Sequence, residues 1–183
     1  MIEWIVLAII AVIVLALILT YNSFVVLKNR IANAWAQIDV NTKKRYDMIP
    51  NLVEIVKGYA KHEKAVFTEV TKARAAVSNA GEDVSKKAKA ENMLSGTLKS
   101  LFAVAENYPQ LRANENFKML QEELSGVESK IAYARQFYND SVLEYNQKTE
   151  VFPSNVIANM FGFKQKPYFE IEEAARQNVK ISF

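Results

Sequence analysis

The sequence predicts an all-α protein: an N-terminal transmembrane helix, then an antiparallel up-and-down four-helix bundle, then a short C-terminal aromatic tail. Three observations predict it. From Trp4 to Leu19 the chain is almost wholly apolar, and Glu3 is the only charged residue before Lys28. Four later stretches repeat apolar residues at steps of three and four, the period of a helix face. No strand-like alternation runs beyond a few residues, and long unbroken apolar runs occur only near the N-terminus.

The first element is a membrane anchor. As one helix, Trp4 to Leu27 rises about 36 Å, enough to cross a hydrocarbon core of about 30 Å with Tyr21 and Asn22 near the exit. A cleaved signal peptide would want a basic start and a small-x-small site, whereas the start here carries Glu3, and after Ala16 come Leu17, Ile18, Leu19, Thr20 and Tyr21 with no Ala-x-Ala pattern. Lys28 and Arg30 follow the span and nothing basic precedes it, so the body is expected in the cytoplasm and the N-terminus outside. The expected domains are 1–27 for the anchor and its exit, 28–148 for the helical bundle, and 149–183 for the tail.

Four helices then follow from their stripes. The first is carried by Phe24, Leu27, Ile31, Ala34, Ile38 and Thr42, and the second by Ile49, Val53, Val56, Ala60, Glu63, Phe67, Val70, Arg74 and Val77. The third uses Val84, Lys87, Ala90, Leu94, Thr97, Leu101, Val104 and Tyr108. The fourth uses Phe117, Leu120, Leu124, Val127, Ile131, Ala134, Tyr138, Val142 and Tyr145. A repeat near 3.5 favours nearly parallel or antiparallel packing. Pro50 breaks the pattern, because its ring clashes with the preceding turn, and the chain is expected to reverse between Asp47 and Asn51. Asn79, Gly81 and Asp83 form a turn, and Tyr108-Pro109 stops the third helix. In the tail, Ser154 is expected to cap a short helix ending near Gly162.

Composition removes several function classes. There is no cysteine, so thiol nucleophiles and cysteine-ligated zinc are out. His62 is the only histidine, so neither His-Glu-x-x-His nor a paired Glu-x-x-His di-iron set can be assembled; it reads as a partly exposed helix residue. Gly58, Gly81, Gly96, Gly126 and Gly162 are scattered and build no phosphate-binding loop. Glu122-Glu123 and Glu172-Glu173 read as solvated helix faces. A net charge of +3 with interspersed signs argues against a nucleic-acid surface, and Lys43-Lys44-Arg45 reads as the basic end of the first helix. No catalytic, cofactor or metal residue is assigned.

Two sets of residues remain as candidate sites. Asn33 and Gln37 sit one turn apart beside Trp35, and Arg135 and Asn139 repeat that spacing beside Tyr138; pointing inward, the four would form an interior polar network that fixes helix register. If the helices alternate direction, the tail returns to the membrane side. Lys28, Arg30, Phe161, Phe163, Lys164 and Lys166 are then candidate membrane-surface contacts.

Ordered segments across nearly the whole chain resemble the LemA family. They include Tyr21-Asn22-Ser23-Phe24 through Arg30, Asn33-Ala34-Trp35-Ala36-Gln37-Ile38-Asp39 and Arg45-Tyr46-Asp47-Met48-Ile49-Pro50-Asn51-Leu52-Val53. Further along stand Glu115-Asn116-Phe117 through Leu124, Ile131-Ala132-Tyr133-Ala134-Arg135 through Asp140, and Phe152-Pro153-Ser154-Asn155 through Phe163. Tyr46 departs from the pattern, since similar sequences often have His there. The resemblance implies a bacterial single-pass protein of the cytoplasmic membrane with a cytoplasmic helical bundle and no established enzymatic activity. The expected function is therefore a non-enzymatic adaptor or scaffold that uses no cofactor, with the lipid bilayer and an unidentified protein as partners. A self-associating, membrane-organising homo-oligomer is the alternative, and a ligand-binding bundle or unfamiliar enzyme a third.

Overall fold

The computed structural model describes residues 1–169, so Glu172-Glu173 and the last part of the tail lie outside the described residues. Every regular element among the described residues is a helix: α1 (Ile2–Tyr59), α2 (Lys64–Asn79), α3 (Val84–Glu106), α4 (Pro109–Ala113), α5 (Glu115–Glu150) and α6 (Ser154–Phe161).

Several expectations about boundaries hold. Asp83 caps α3 by accepting a hydrogen bond from the Lys86 N–H at 2.9 Å, and Gly81, at φ 58°, makes the preceding turn where a side chain would be strained. Pro109 opens α4 at the position where its missing N–H costs nothing. The sequence reading did not single out Asn114, which caps α5 by accepting from the Phe117 N–H at 3.0 Å.

Pro50 does not reverse the chain. Helix α1 runs through it for 58 residues, about 87 Å of rise, and breaks only between Ala60 and Glu63. The physical reason lies 24 residues further on. Proline has no N–H for the carbonyl four residues back, which is that of Tyr46. Arg74 on α2 supplies the missing donor, with Nε 3.3 Å from the Tyr46 oxygen and the guanidinium carbon 3.8 Å above the centre of the Tyr46 ring. Continuing the helix also keeps Met48, Ile49, Leu52, Val53 and Val56 buried on one face. The break then leaves His62 exposed in a turn rather than on a helix.

Two compact units can be distinguished. One combines residues 1–37 with 134–167; its core is Phe24, Leu27, Ile31 and Ala34 of α1, Ala134, Tyr138, Val142 and Tyr145 of α5, and Ile157 and Ala158 of α6. The other holds residues 38–133 with Tyr168 and Phe169. Its apolar core draws Ile49, Leu52 and Val56 from α1, Phe67, Val70 and Ala73 from α2, Leu94, Leu98 and Leu101 from α3, Leu111 from α4, and Phe117, Leu124 and Val127 from α5. Helices α2 and α3, joined by a four-residue turn, pack against each other.

Ser154 does not cap α6, which has no side-chain cap. Its hydroxyl instead stands within donating distance of the Lys148 carbonyl in the last turn of α5 and of the Val151 carbonyl, 2.7 and 2.8 Å away, and the Val151 oxygen also accepts from the Asn155 N–H at 2.9 Å. Gly162 ends α6 at φ 70°, and the N–H groups of Gly162 and Phe163 both reach the Ala158 carbonyl.

Candidate functional site

The most unusual chemistry is a charged layer inside the second unit. The Arg45 and Glu91 side chains are both wholly buried and joined as an ion pair. Arg45 Nη1 also reaches the Glu128 carboxylate and donates to Ser95 Oγ at 2.9 Å, while the Ser95 hydroxyl donates to Glu128 Oε1 at 2.6 Å. The layer continues along α1 to Asp39, which pairs with Lys87. Asp39, Thr42 and Arg45 recur every three residues on α1, and Lys87, Glu91 and Ser95 every four on α3, so each set lines one helix face. Burial pushes the Lys87 ammonium below its usual value, partly opposed by the negative charge of Glu91.

The assignment of Lys43-Lys44-Arg45 to a helix end is corrected here. The helix does not end there, Arg45 faces inward, and Lys44 pairs at the surface with Glu123 at 3.0 Å. Arg45 suits the buried role because its planar fork serves three acceptors at once. Removing Arg45 or Glu91 would leave the other buried charge short of its partner.

Openings flank the layer on two sides. A cavity of about 260 Å³ lies between α3 and α5, lined by Ser95, Leu98, Phe102, Gln121 and Leu124 and bordered by Glu128. A second, of about 390 Å³, is lined by Asp39, Thr42, Tyr46, Ser78 and Lys87. The Thr42 hydroxyl is buried there with no hydrogen-bond partner among the described residues. No group of three or more His, Asp or Glu among the described residues is placed to hold a metal ion.

A second constellation lies in the first unit, at the end of the apolar segment. Tyr21 meets the Phe161 ring edge-on at 4.8 Å and the Phe163 ring at 5.7 Å, and Phe24 stacks on Phe163 at 4.7 Å. The chain after α6 is fastened to α5: Asn146 donates to the Lys166 carbonyl at 2.9 Å and accepts from the Lys166 N–H at 2.8 Å, and the Tyr138 hydroxyl donates to the Pro167 carbonyl at 3.1 Å. Gln165 donates to Glu150 at 2.6 Å. The apolar segment itself has the length and hydropathy to cross a membrane, and none of that window is buried.

The model of the LemA family matches residues 34–183. The chain belongs to the LemA family. Magnetosome protein MamQ 2 of Paramagnetospirillum magneticum is 25% identical, over 86% of this chain and 67% of its own length. Protein LemA of Metamycoplasma hominis is 24% identical over 85% of this chain and 71% of its own, and magnetosome protein MamQ of Magnetospirillum gryphiswaldense 24% identical over 86% and 67%. None of these names is that of an enzyme.

In this LemA-family chain the residues expected from sequence are placed as follows. Asn33 and Gln37 are exposed, and Gln37 donates to Asn33 along the helix at 3.3 Å. Arg135 and Asn139 are half-buried and hold partners of their own, and between the two pairs Trp35 lies 5.7 Å from Tyr138, ring to ring. Lys28 and Lys164 are exposed, Lys166 is half-buried, and Arg30 pairs with Glu144 at 2.8 Å. Phe161 is exposed although it touches Tyr21, and Phe163 is half-buried against Phe24. Sequence reading missed Arg45, Glu91, Ser95 and Glu128. The available signal was register: Arg45 follows Ile38 by seven residues and precedes Leu52 by seven, on the core stripe.

Proposed function

We propose that this protein is a non-enzymatic adaptor of the bacterial cytoplasmic membrane, crossing it once, with its N-terminus outside and an antiparallel four-helix bundle in the cytoplasm. The observation that carries the reading is α1. One uninterrupted helix bears both an unburied apolar segment of membrane-spanning length and the Phe24, Leu27 and Ile31 positions of a packed core. An unburied segment of that kind has its natural solvent in a bilayer. Exposed Lys28 just beyond it, with no basic residue before it, supports the cytoplasmic side for the body. Among the described residues the buried charges, Arg45 and Glu91, join one another, an arrangement suited to setting helix register.

A protein-contact role is further supported by α5, where Tyr133 and Phe137 stand exposed one turn apart, tyrosine being a common anchor of protein interfaces. Photoreactive residues at these two positions, in the full chain in native membranes, test the reading. Capture of one reproducible heterologous protein, lost in a Tyr133→Ala variant, supports the adaptor. Crosslinks only between copies of this chain replace it with the second reading, a self-associating organiser of the membrane.

A further inference from the structure

The segment from Val151 to Phe163 contains no charged residue, yet Lys148 and Glu150 precede it and Lys164 and Lys166 follow. On this stretch Val151, Phe152, Val156, Met160 and Phe161 are each more than half exposed, while Ile157 and Ala158 of α6 are buried. The segment thus turns some of its apolar side chains into its own protein and leaves the others facing outward. The outward side is held there by a built mount. Ser154 ties the start of α6 to the end of α5, and Asn146 and Tyr138 fasten the chain beyond it.

The position of this outward side identifies what covers it. Phe161 touches Tyr21, and Tyr21 is the first aromatic residue after the apolar run of α1. The exposed apolar surface of α6 is therefore continuous with the exposed apolar surface of the spanning segment, at the level where tyrosines gather at membrane interfaces. We infer that residues 151–161 lie in the lipid itself, at the boundary between headgroups and acyl chains, so that the protein holds the membrane by a spanning helix and a separate interfacial one. A short apolar segment with exposed aromatic and aliphatic side chains, lysines on both flanks and no internal charge is the composition such a layer accepts. The mount makes this a rigid attachment, because α6 cannot leave the lipid without either tilting α5 or breaking the Asn146 bracket.

This inference rests on α1 being embedded in the bilayer, and the experiment separates the two. Because the chain has no cysteine, single-cysteine variants of the full-length protein take one spin label each. Variants at Ile10, Val156, Met160 and, as a water-exposed reference, Lys118 are reconstituted into vesicles of mixed zwitterionic and anionic phospholipid. Relaxation by oxygen, which concentrates in lipid, is compared with relaxation by a water-soluble nickel chelate. Oxygen-dominated relaxation at Val156 and Met160, at a depth shallower than Ile10 and with at least several-fold less nickel access than Lys118, is the expected result. Nickel access at Met160 equal to that at Lys118, with Ile10 still deep, overturns the inference and leaves the anchor intact. Water access at Ile10 overturns the anchor and the inference together. Dipolar broadening between labels at Met160 that grows with protein density, with neither reagent reaching the site, assigns the surface to a second copy and also overturns it.

Discussion

Replacing Arg74 by alanine removes the donor that stands in for the N–H that Pro50 lacks. Two contacts go at once: the bond from Nε to the Tyr46 carbonyl at 3.3 Å, and the guanidinium over the Tyr46 ring at 3.8 Å. A hydrogen bond from a charged donor contributes about 1.5–3 kcal/mol, and this one is long and partly solvated, so a value below that range, about 1 kcal/mol, applies. The stacked cation adds about 1 kcal/mol at a half-exposed site. The loss should total about 2 kcal/mol, which for a chain of this size lowers the melting midpoint by about 4–8 °C. Pro50→Ala alone should stabilise, since it restores the helical N–H and removes a proline cost of about 3 kcal/mol. In that background Tyr46 has its own partner, so Arg74→Ala should lose only the ring contact, about 1 kcal/mol. Thermal unfolding of the four full-length proteins in detergent micelles, followed by circular dichroism at 222 nm, gives the cycle. Equal losses in both backgrounds, or no loss in either, would show that Arg74 does not serve the orphaned carbonyl.

Arg45→Ala should cost about 3–5 kcal/mol in the same melts by stranding Glu91, whereas replacing Arg45 and Glu91 together with methionine and leucine should recover most of it. Gly162→Ala should cost about 1–2 kcal/mol from backbone strain alone, because an added Cβ meets nothing within 4 Å but φ stands at 70°; faster protease cleavage after Phe161 is the readout. Burial raises both the Tyr138 and Tyr145 hydroxyls above their usual value near 10. Their folded forms therefore keep protons that the unfolded chain has lost, and the stability they confer is complete below about pH 10 and falls as pH rises through the folded values. Absorbance titration at 295 nm should show these two ionising later than the exposed tyrosines, and Tyr138→Phe should flatten the alkaline decline in melting midpoint.

Much of the architecture was legible because it is periodic. Phe24, Leu27, Ile31, Ala34 and Ile38 are all buried where their spacing put them, and so are Phe117, Leu124, Val127, Ile131 and Tyr138. Asp83, Pro109 and Gly162 mark ends through local chemistry that a few neighbouring residues determine. Pro50 was not legible, since whether a proline breaks a helix depends on what satisfies the carbonyl four residues back, and Arg74 is remote in sequence. Arg45 failed for a different reason. Beside Lys43 and Lys44 it reads as part of a charged run, and only the acids at Glu91 and Glu128 make its burial tolerable. Charges of opposite sign falling on the core stripes of two helices are the pattern that would have found the layer.

Asn146 turns the length of the chain after α5 into a fixed quantity. Its amide presents a donor and an acceptor side by side, as a peptide unit does, and both are matched to the single residue Lys166. Ordinary surface loops accept extra residues at little expense, about 0.6 kcal/mol for a doubling of length. Here, inserting or deleting one residue between Glu150 and Lys166 would present the wrong peptide to the amide, and the aromatic contacts of Phe161 and Phe163 would shift out of place with it. The segment should consequently tolerate changes of residue far better than changes of number, with Asn146 acting as its gauge.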